Sequence, residues 1–183
     1  GVIGLGRLGT PVAHVGAAFG MKVIAWSPNM TEARAAEAGA TLVTKEELLA
    51  RSDVVTVHMV LSEHSRNLLG AEELRQMKQD AILVNTSRGP LINEAALTQA
   101  LKEGWIGAAA LDVYDQEPLP GDHALRRAPN TLLTPHIGYA TDATYKVFIP
   151  QTVENIQAYL AGKPIRVMNP AAQFDRDRPK YLD

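Results

Sequence analysis

A histidine, a carboxylate and an arginine carry the chemistry of this sequence, if the fold brings them together. His136 stands in Thr134-Pro135-His136-Ile137-Gly138. Asp112 and Glu117 both lie in the run Leu111-Asp112-Val113-Tyr114-Asp115-Gln116-Glu117-Pro118, and Arg88 lies in Asn85-Thr86-Ser87-Arg88-Gly89-Pro90. Each follows a short apolar run that reads as a strand. An imidazole held by a carboxylate keeps one orientation and serves as an acid or base near neutrality. An arginine presented by a Gly-Pro turn can grip a carboxylate through two parallel N–H bonds. Taken singly, each has a plainer reading: a structural histidine, ordinary loop acidity and a surface arginine in a salt bridge.

The chain is organised around a second feature, at its start. Val2, Ile3 and Leu5 read as the end of a buried strand, and Gly4, Gly6 and Gly9 form G-x-G-x-x-G before a helical run from Thr10. The first glycine makes the tight turn, the second admits a pyrophosphate to the backbone, and the third packs helix against strand. The helix N-terminus offers N–H groups and a positive dipole end to phosphate. Strand before and helix after are the context that this motif requires.

Further elements follow in alternation. Helix is expected over 10–19, with Val12, Val15, Ala18 and Phe19 on one face, and over 71–78 and 94–103. Thr31 or Asn29 caps a helix that runs to Ala38, and Thr44 with Glu47 opens one that runs to Ala50. Strands are expected over 22–26, 40–43, 53–57, 81–85, 106–113 and 131–133. A long final helix, Thr141 to Ala161, is expected to be interrupted or kinked near Pro150. This alternation predicts an α/β fold, a Rossmann-type doubly wound parallel sheet. Its site lies beyond the carboxyl ends of the strands, so the glycine loop, Arg88, His136 and the carboxylates Asp112 and Glu117 share one sheet edge. An arginine, a carboxylate and a histidine facing a dinucleotide make up the parts list for hydride transfer to a 2-oxo acid.

Composition narrows the classes. The net charge of -2 gives no electrostatic footprint for nucleic acid, and the absence of cysteine removes thiolate chemistry and suits a reducing cytoplasm. No apolar run is long enough to span a membrane, and no histidine pair has metal-ligand spacing, so no metal site is expected. His14, His64 and His123 read as solvent-facing and His58 as a strand-end histidine. Asp175-Arg176-Asp177-Arg178 reads as a solvated tail. A carboxylate usually follows the second strand, roughly twenty residues past the glycines, to bind the adenosine ribose. Here Ser27-Pro28-Asn29 stands there, and the nearest cation for a 2′-phosphate is Arg34. NAD is favoured, because no basic cluster accompanies Ser27 and Asn29, and NADP also fits. The chain opens inside a strand, which reads as a fragment that lacks a preceding segment.

The sequence resembles the D-isomer-specific 2-hydroxyacid dehydrogenases over nearly its whole length. The marks are G-L-G-R-L-G at 4–9, S-D-V-V-T-V-H at 52–58 and N-T-S-R-G at 85–89. They continue with A-L-D-V-Y-D-Q-E-P at 110–118, L-T-P-H-I-G at 133–138 and V-E-N-I at 153–156. The resemblance implies that Arg88, Glu117 and His136 are a catalytic trio. In it, His136 donates a proton to the substrate carbonyl oxygen, Glu117 holds the imidazole, and Arg88 binds the small 2-oxo or 2-hydroxy acid. It implies a cofactor site made of Gly4, Gly6, Arg7, Leu8, Gly9, Ser27, Asn29, Thr86, Asp112 and Gly138, with Asp112 on the nicotinamide carboxamide. It further implies a homodimer, a dinucleotide-binding domain over 1–140, and a return helix and tail over 141–183 that pack on an absent substrate domain. Without that domain the chain alone is expected to be inactive or nearly so. Ser27 departs from the family's usual Asp. Two alternatives stay open: a 3-hydroxyacid dehydrogenase, for which no lysine here matches the catalytic motif, and a corepressor-like module that senses dinucleotides without turnover.

Overall fold

The computed structural model describes residues 1–169. Residues 1–138 form one compact unit, and the chain from Tyr139 forms a second. The Asp175–Arg178 tail lies outside the described residues.

The first unit is a seven-stranded sheet whose neighbouring strands all pair in parallel. Its strands are β1 (Val2–Ile3), β2 (Ile24–Trp26), β3 (Thr41–Leu42), β4 (Val54–Val57), β5 (Ile82–Asn85), β6 (Ala108–Leu111) and β7 (Thr131–Leu133), in the order β3-β2-β1-β4-β5-β6-β7. This is the doubly wound arrangement, with its switch point between β1 and β4. The helices are α1 (Gly9–Ala18), α2 (Glu32–Glu37), α3 (Lys45–Arg51), α4 (Ala71–Gln76) and α5 (Glu94–Glu103). Side chains at their starts satisfy exposed N–H groups: Thr31 caps α2, Thr44 caps α3 and Asn93 caps α5. Gly104 ends α5 in the left-handed conformation, at φ 69°.

Residues of β1 and β2 alternate between two cores. The larger joins Ile3, Val55, Val57, Leu83 and Leu111 to Leu48, Leu74, Leu97 and Leu125. The smaller is Val2, Leu5 and mostly alanines, including Ala13 of α1 and Ala35 of α2. The face expected to anchor α1 is not its buried one. Val12, Val15 and Phe19 are exposed, Phe19 by 79%, and Gly9 and Ala13 are buried instead. The reason is steric: a Cβ on Gly9 would stand 2.1 Å from the Gly4 carbonyl oxygen, so only a bare backbone lets α1 approach β1.

In the second unit, Thr141 caps α6 (Asp142–Leu160). Of the interruption or kink expected near Pro150, the interruption does not occur, and helix is continuous on both sides of it. Tyr139 and Phe148 stack with ring centroids 6.5 Å apart. Among the described residues no helix is long and apolar enough to cross a membrane.

Candidate active site

Because every strand runs the same way, the segments after β1, β2, β5, β6 and β7 emerge on one edge. After β1, Gly4 takes φ +93°, and a Cβ there would stand 2.6 Å from the His58 carbonyl oxygen. Its N–H donates to the Trp26 carbonyl at 2.9 Å, which sets the loop beside the end of β2. A Cβ on Gly6 would meet nothing within 4 Å. Arg7 and Leu8 are exposed, and no side chain caps α1. Open space at Gly6 and a helix start without a side-chain cap fit a pyrophosphate.

After β5, Asn85 frames the turn that carries Arg88. Its Oδ1 accepts the Ser87 N–H at 3.0 Å and its Nδ2 donates to the Arg88 carbonyl at 2.9 Å. The Ser87 hydroxyl donates to the Val57 carbonyl at 2.7 Å. Arg88 is thereby held in an exposed position at the edge, and Thr86 beside it is also exposed. Gly89 packs flush against the next loop, where a Cβ would stand 2.0 Å from the Tyr114 carbonyl carbon.

After β6, the buried Asp112 turns toward the loop after β7. Its Oδ1 accepts the Thr134 hydroxyl at 2.6 Å and the Ile137 N–H at 2.9 Å, and its Oδ2 accepts the Gly138 N–H at 2.9 Å. Burial works against its ionised form, but these bonds and the nearby His136 outweigh it and hold the carboxyl below its ordinary value. Asp112 thus spans His136 from both sides. His136 sits at φ 55°, a conformation uncommon outside glycine, and it depends on such surroundings to persist.

His136 Nδ1 lies 2.6 Å from Glu117 Oε2. The other oxygen, Oε1, accepts the Tyr114 N–H at 3.0 Å. Desolvation pushes the Glu117 carboxyl up, but its bonds from His136 and Tyr114 and the charges of His136 and Arg88 prevail and lower it. Glu117 is therefore an acceptor, and Nδ1 carries the proton donated to it. The pair borders a cavity of about 490 Å³ whose walls include Leu119, Leu133 and Arg126. Among the described residues no cluster of acids and histidines could hold a metal ion.

The chain and its fold have counterparts among known proteins. Residues 1–138 match the family model "D-isomer specific 2-hydroxyacid dehydrogenase, NAD binding domain". The chain belongs to this family. It is 43% identical over 163 residues to a glyoxylate reductase of Aeropyrum pernix, across 89% of this chain and 49% of that one. The structure of a putative D-3-phosphoglycerate dehydrogenase from Ralstonia solanacearum superposes with a TM-score of 0.87 at 36% identity, over 95% of this chain and 51% of the other. D-Lactate dehydrogenase with NAD⁺ from Lactobacillus jensenii gives 0.76 at 30%, over 90% and 53%. The chain spans about half the length of the curated relatives it matches.

Within this D-2-hydroxyacid dehydrogenase domain, Ser27 is half-buried beside Gly4, and Asn29 is exposed one turn on. The first carboxylate after β2 is Glu32, at the start of α2. His58 is the strand-end residue expected: its N–H donates to the Ile3 carbonyl at 2.7 Å and Nε2 lies 2.9 Å from the Thr56 hydroxyl. His14 and His64 are exposed, as expected. His123 is not solvent-facing. Its side chain is 27% exposed, and Nε2 lies 3.4 Å from Glu94. The correction has a local cause: the 3₁₀ turn Ala124–Arg127 folds His123 back toward α5. Sequence reading also missed Tyr114, whose hydroxyl donates to the Thr134 carbonyl at 2.8 Å and the Leu111 carbonyl at 3.1 Å. It missed the framing roles of Asn85 and Thr134. A polar residue ending an apolar strand was the available signal for Asn85.

Proposed function

We propose that the protein is an NAD(P)-dependent D-2-hydroxyacid dehydrogenase that interconverts a small 2-oxo acid and its 2-hydroxy acid. The observation that carries this is the 2.6 Å bond between His136 and Glu117, on the edge that also presents the glycine loop and Arg88. The residues of the loop that would hold the cofactor are Gly4, Gly6, Arg7, Leu8 and Gly9, with Ser27 and Asn29 toward its adenosine and Thr86, Asp112 and Gly138 toward its nicotinamide. The cofactor, when bound, supplies or accepts the hydride at C2. Arg88 takes the substrate carboxylate in a two-pronged grip and polarises the adjacent carbonyl. His136 Nε2 gives its proton to the carbonyl oxygen in reduction and takes it back in oxidation. Glu117 stays ionised, keeps Nδ1 protonated and stabilises the imidazolium without itself receiving the proton. Asp112 holds the His136 loop in place while the proton moves.

Oxidation of NADH and NADPH by the intact protein, with a panel of 2-oxo acids, tests this. Turnover with at least one acid and a product of D configuration are expected. His136→Gln should lower kcat by about 10²- to 10⁴-fold. It should leave NADH affinity within about twofold, because the proton transfer it removes belongs to the transition state and not to cofactor binding. Full rate in His136→Gln would sink the proposal. No turnover, with dimerisation that depends on dinucleotide, would point to the sensing module instead.

A further inference from the structure

Glu94 is the first residue of α5, yet it does not cap that helix. Asn93 does so, accepting the Ala96 N–H at 2.9 Å. The Glu94 side chain is only 14% exposed. Its Oε1 accepts the Asp115 N–H, 21 residues along the chain, at 2.8 Å. Its Oε2 lies 3.4 Å from His123 Nε2. His123 Nδ1 accepts the Leu125 N–H, so the His123 proton sits on the nitrogen that faces Glu94. Burial raises the Glu94 carboxyl, opposed by the Asp115 N–H and by His123, with the negative charge of Asp115 adding to the rise.

The peptide that Glu94 grips is the one next to the catalytic pair. Tyr114 and Asp115 share it, and the Tyr114 N–H holds Glu117. Gly89 packs flush on the same peptide. We propose that Glu94 is a positioning residue: by pinning Asp115, it fixes Tyr114, and so sets the Glu117 carboxylate against His136 Nδ1. His123 in turn keeps the Glu94 carboxylate aimed. The effect on rate rests on the dehydrogenase reading above, whereas the effect on geometry does not.

The test reads both in the intact protein. The proton on His136 Nδ1, shared with Glu117, gives a downfield NMR signal that Glu117→Ala removes. Glu94→Ala is expected to abolish or broaden that signal. Glu94→Gln, whose amide oxygen still accepts from Asp115, is expected to keep it. Glu94→Asp, one methylene short of the Asp115 N–H, is expected to weaken it and serves if the alanine variant does not fold. In kinetics, Glu94→Ala is expected to lower kcat about tenfold with KM for NADH unchanged, and to add nothing in a Glu117→Ala background. An unchanged signal in folded Glu94→Ala or Glu94→Asp, or losses that multiply in the double variant, would overturn the proposal. A signal that responds as expected in a protein that turns over no 2-oxo acid would support the positioning role while removing the dehydrogenase reading.

Discussion

The two ends of the site are built by opposite means. The glycine loop is backbone: Gly4 against the His58 carbonyl, Gly9 against Gly4 and open space at Gly6, with the side chains of Arg7 and Leu8 turned outward. Its contacts span a few residues or neighbouring strands. The edge from β5 to β7 is side chain: Asp112 on Thr134, Ile137 and Gly138, Glu117 on His136, and Tyr114 on Thr134, across separations of 19 to 26 residues. The difference teaches where each half is vulnerable. A loop made of backbone fails when an atom is added. An edge made of hydrogen-bonded side chains fails when one is removed.

The largest effect expected from breaking this contrast comes at Gly9. A valine there places its Cβ 2.1 Å from the Gly4 carbonyl, and backbone cannot yield as a flexible side chain would. Overpacking of this kind costs about 1–3 kcal/mol, and it shifts the start of α1 away from any bound phosphate. Gly9→Val should therefore lower the melting temperature and abolish NADH binding measured by Trp26 fluorescence. His136→Gln is the mirror case, expected to lose turnover and keep binding. If Gly9→Val bound NADH normally, the loop would not be the cofactor's seat, and the contrast between the two ends would fail.

This division also explains what was legible in the sequence. The glycine loop, the alternation of strands and helices and the bounds of α5 and β7 follow from local spacing and apolar runs, so they could be read directly, whereas the strand order is a property of the folded sheet. Arg88, His136 and a carboxylate from the run after β6 could be read together because a parallel sheet sends all strand ends to one edge, and the family resemblance singled out Glu117 as that carboxylate. What holds them could not. Nothing local to Asp112 says that its carboxylate brackets His136, nor does anything local to Glu94 say that it reaches Asp115 and His123. The face of α1 was misjudged for a related reason. Val12, Val15 and Phe19 make the apolar stripe, but the close approach at Gly9 selects the side bearing Ala13.

A smaller effect sharpens the backbone end by adding the one side chain that discriminates there. Ser27 follows β2 where a carboxylate would accept the ribose hydroxyls and repel a 2′-phosphate. Ser27→Asp is expected to shift the ratio of NADH to NADPH affinity toward NADH by about tenfold, or about 1.4 kcal/mol, with the kcat for either cofactor little changed. Titrating both cofactors against both proteins checks this. An unchanged ratio would mean that the adenosine end is read elsewhere, with Arg34 the next residue to substitute.

The smallest effect lies at the seam between the two ends. His58 follows β4, which separates β1 from β5, and its carbonyl abuts Gly4 while the neighbouring Val57 carbonyl receives Ser87. Burial lowers the His58 pKa from its ordinary 6.5, so the folded protein keeps the imidazole neutral. The unfolded chain then binds a proton more readily than the folded one. The stability that His58 contributes is full above pH 6.5 and is lost as the pH falls below that value. Glu117 and Asp112, whose carboxyls are lowered, also lose their contribution on acidification, but only in the lower range where carboxylates titrate. Denaturant melts between about pH 5 and 8 should therefore show a decline below pH 6.5 in the parent protein that His58→Gln flattens. A decline of equal slope in His58→Gln would assign it to another group and leave the seam without a titrating residue.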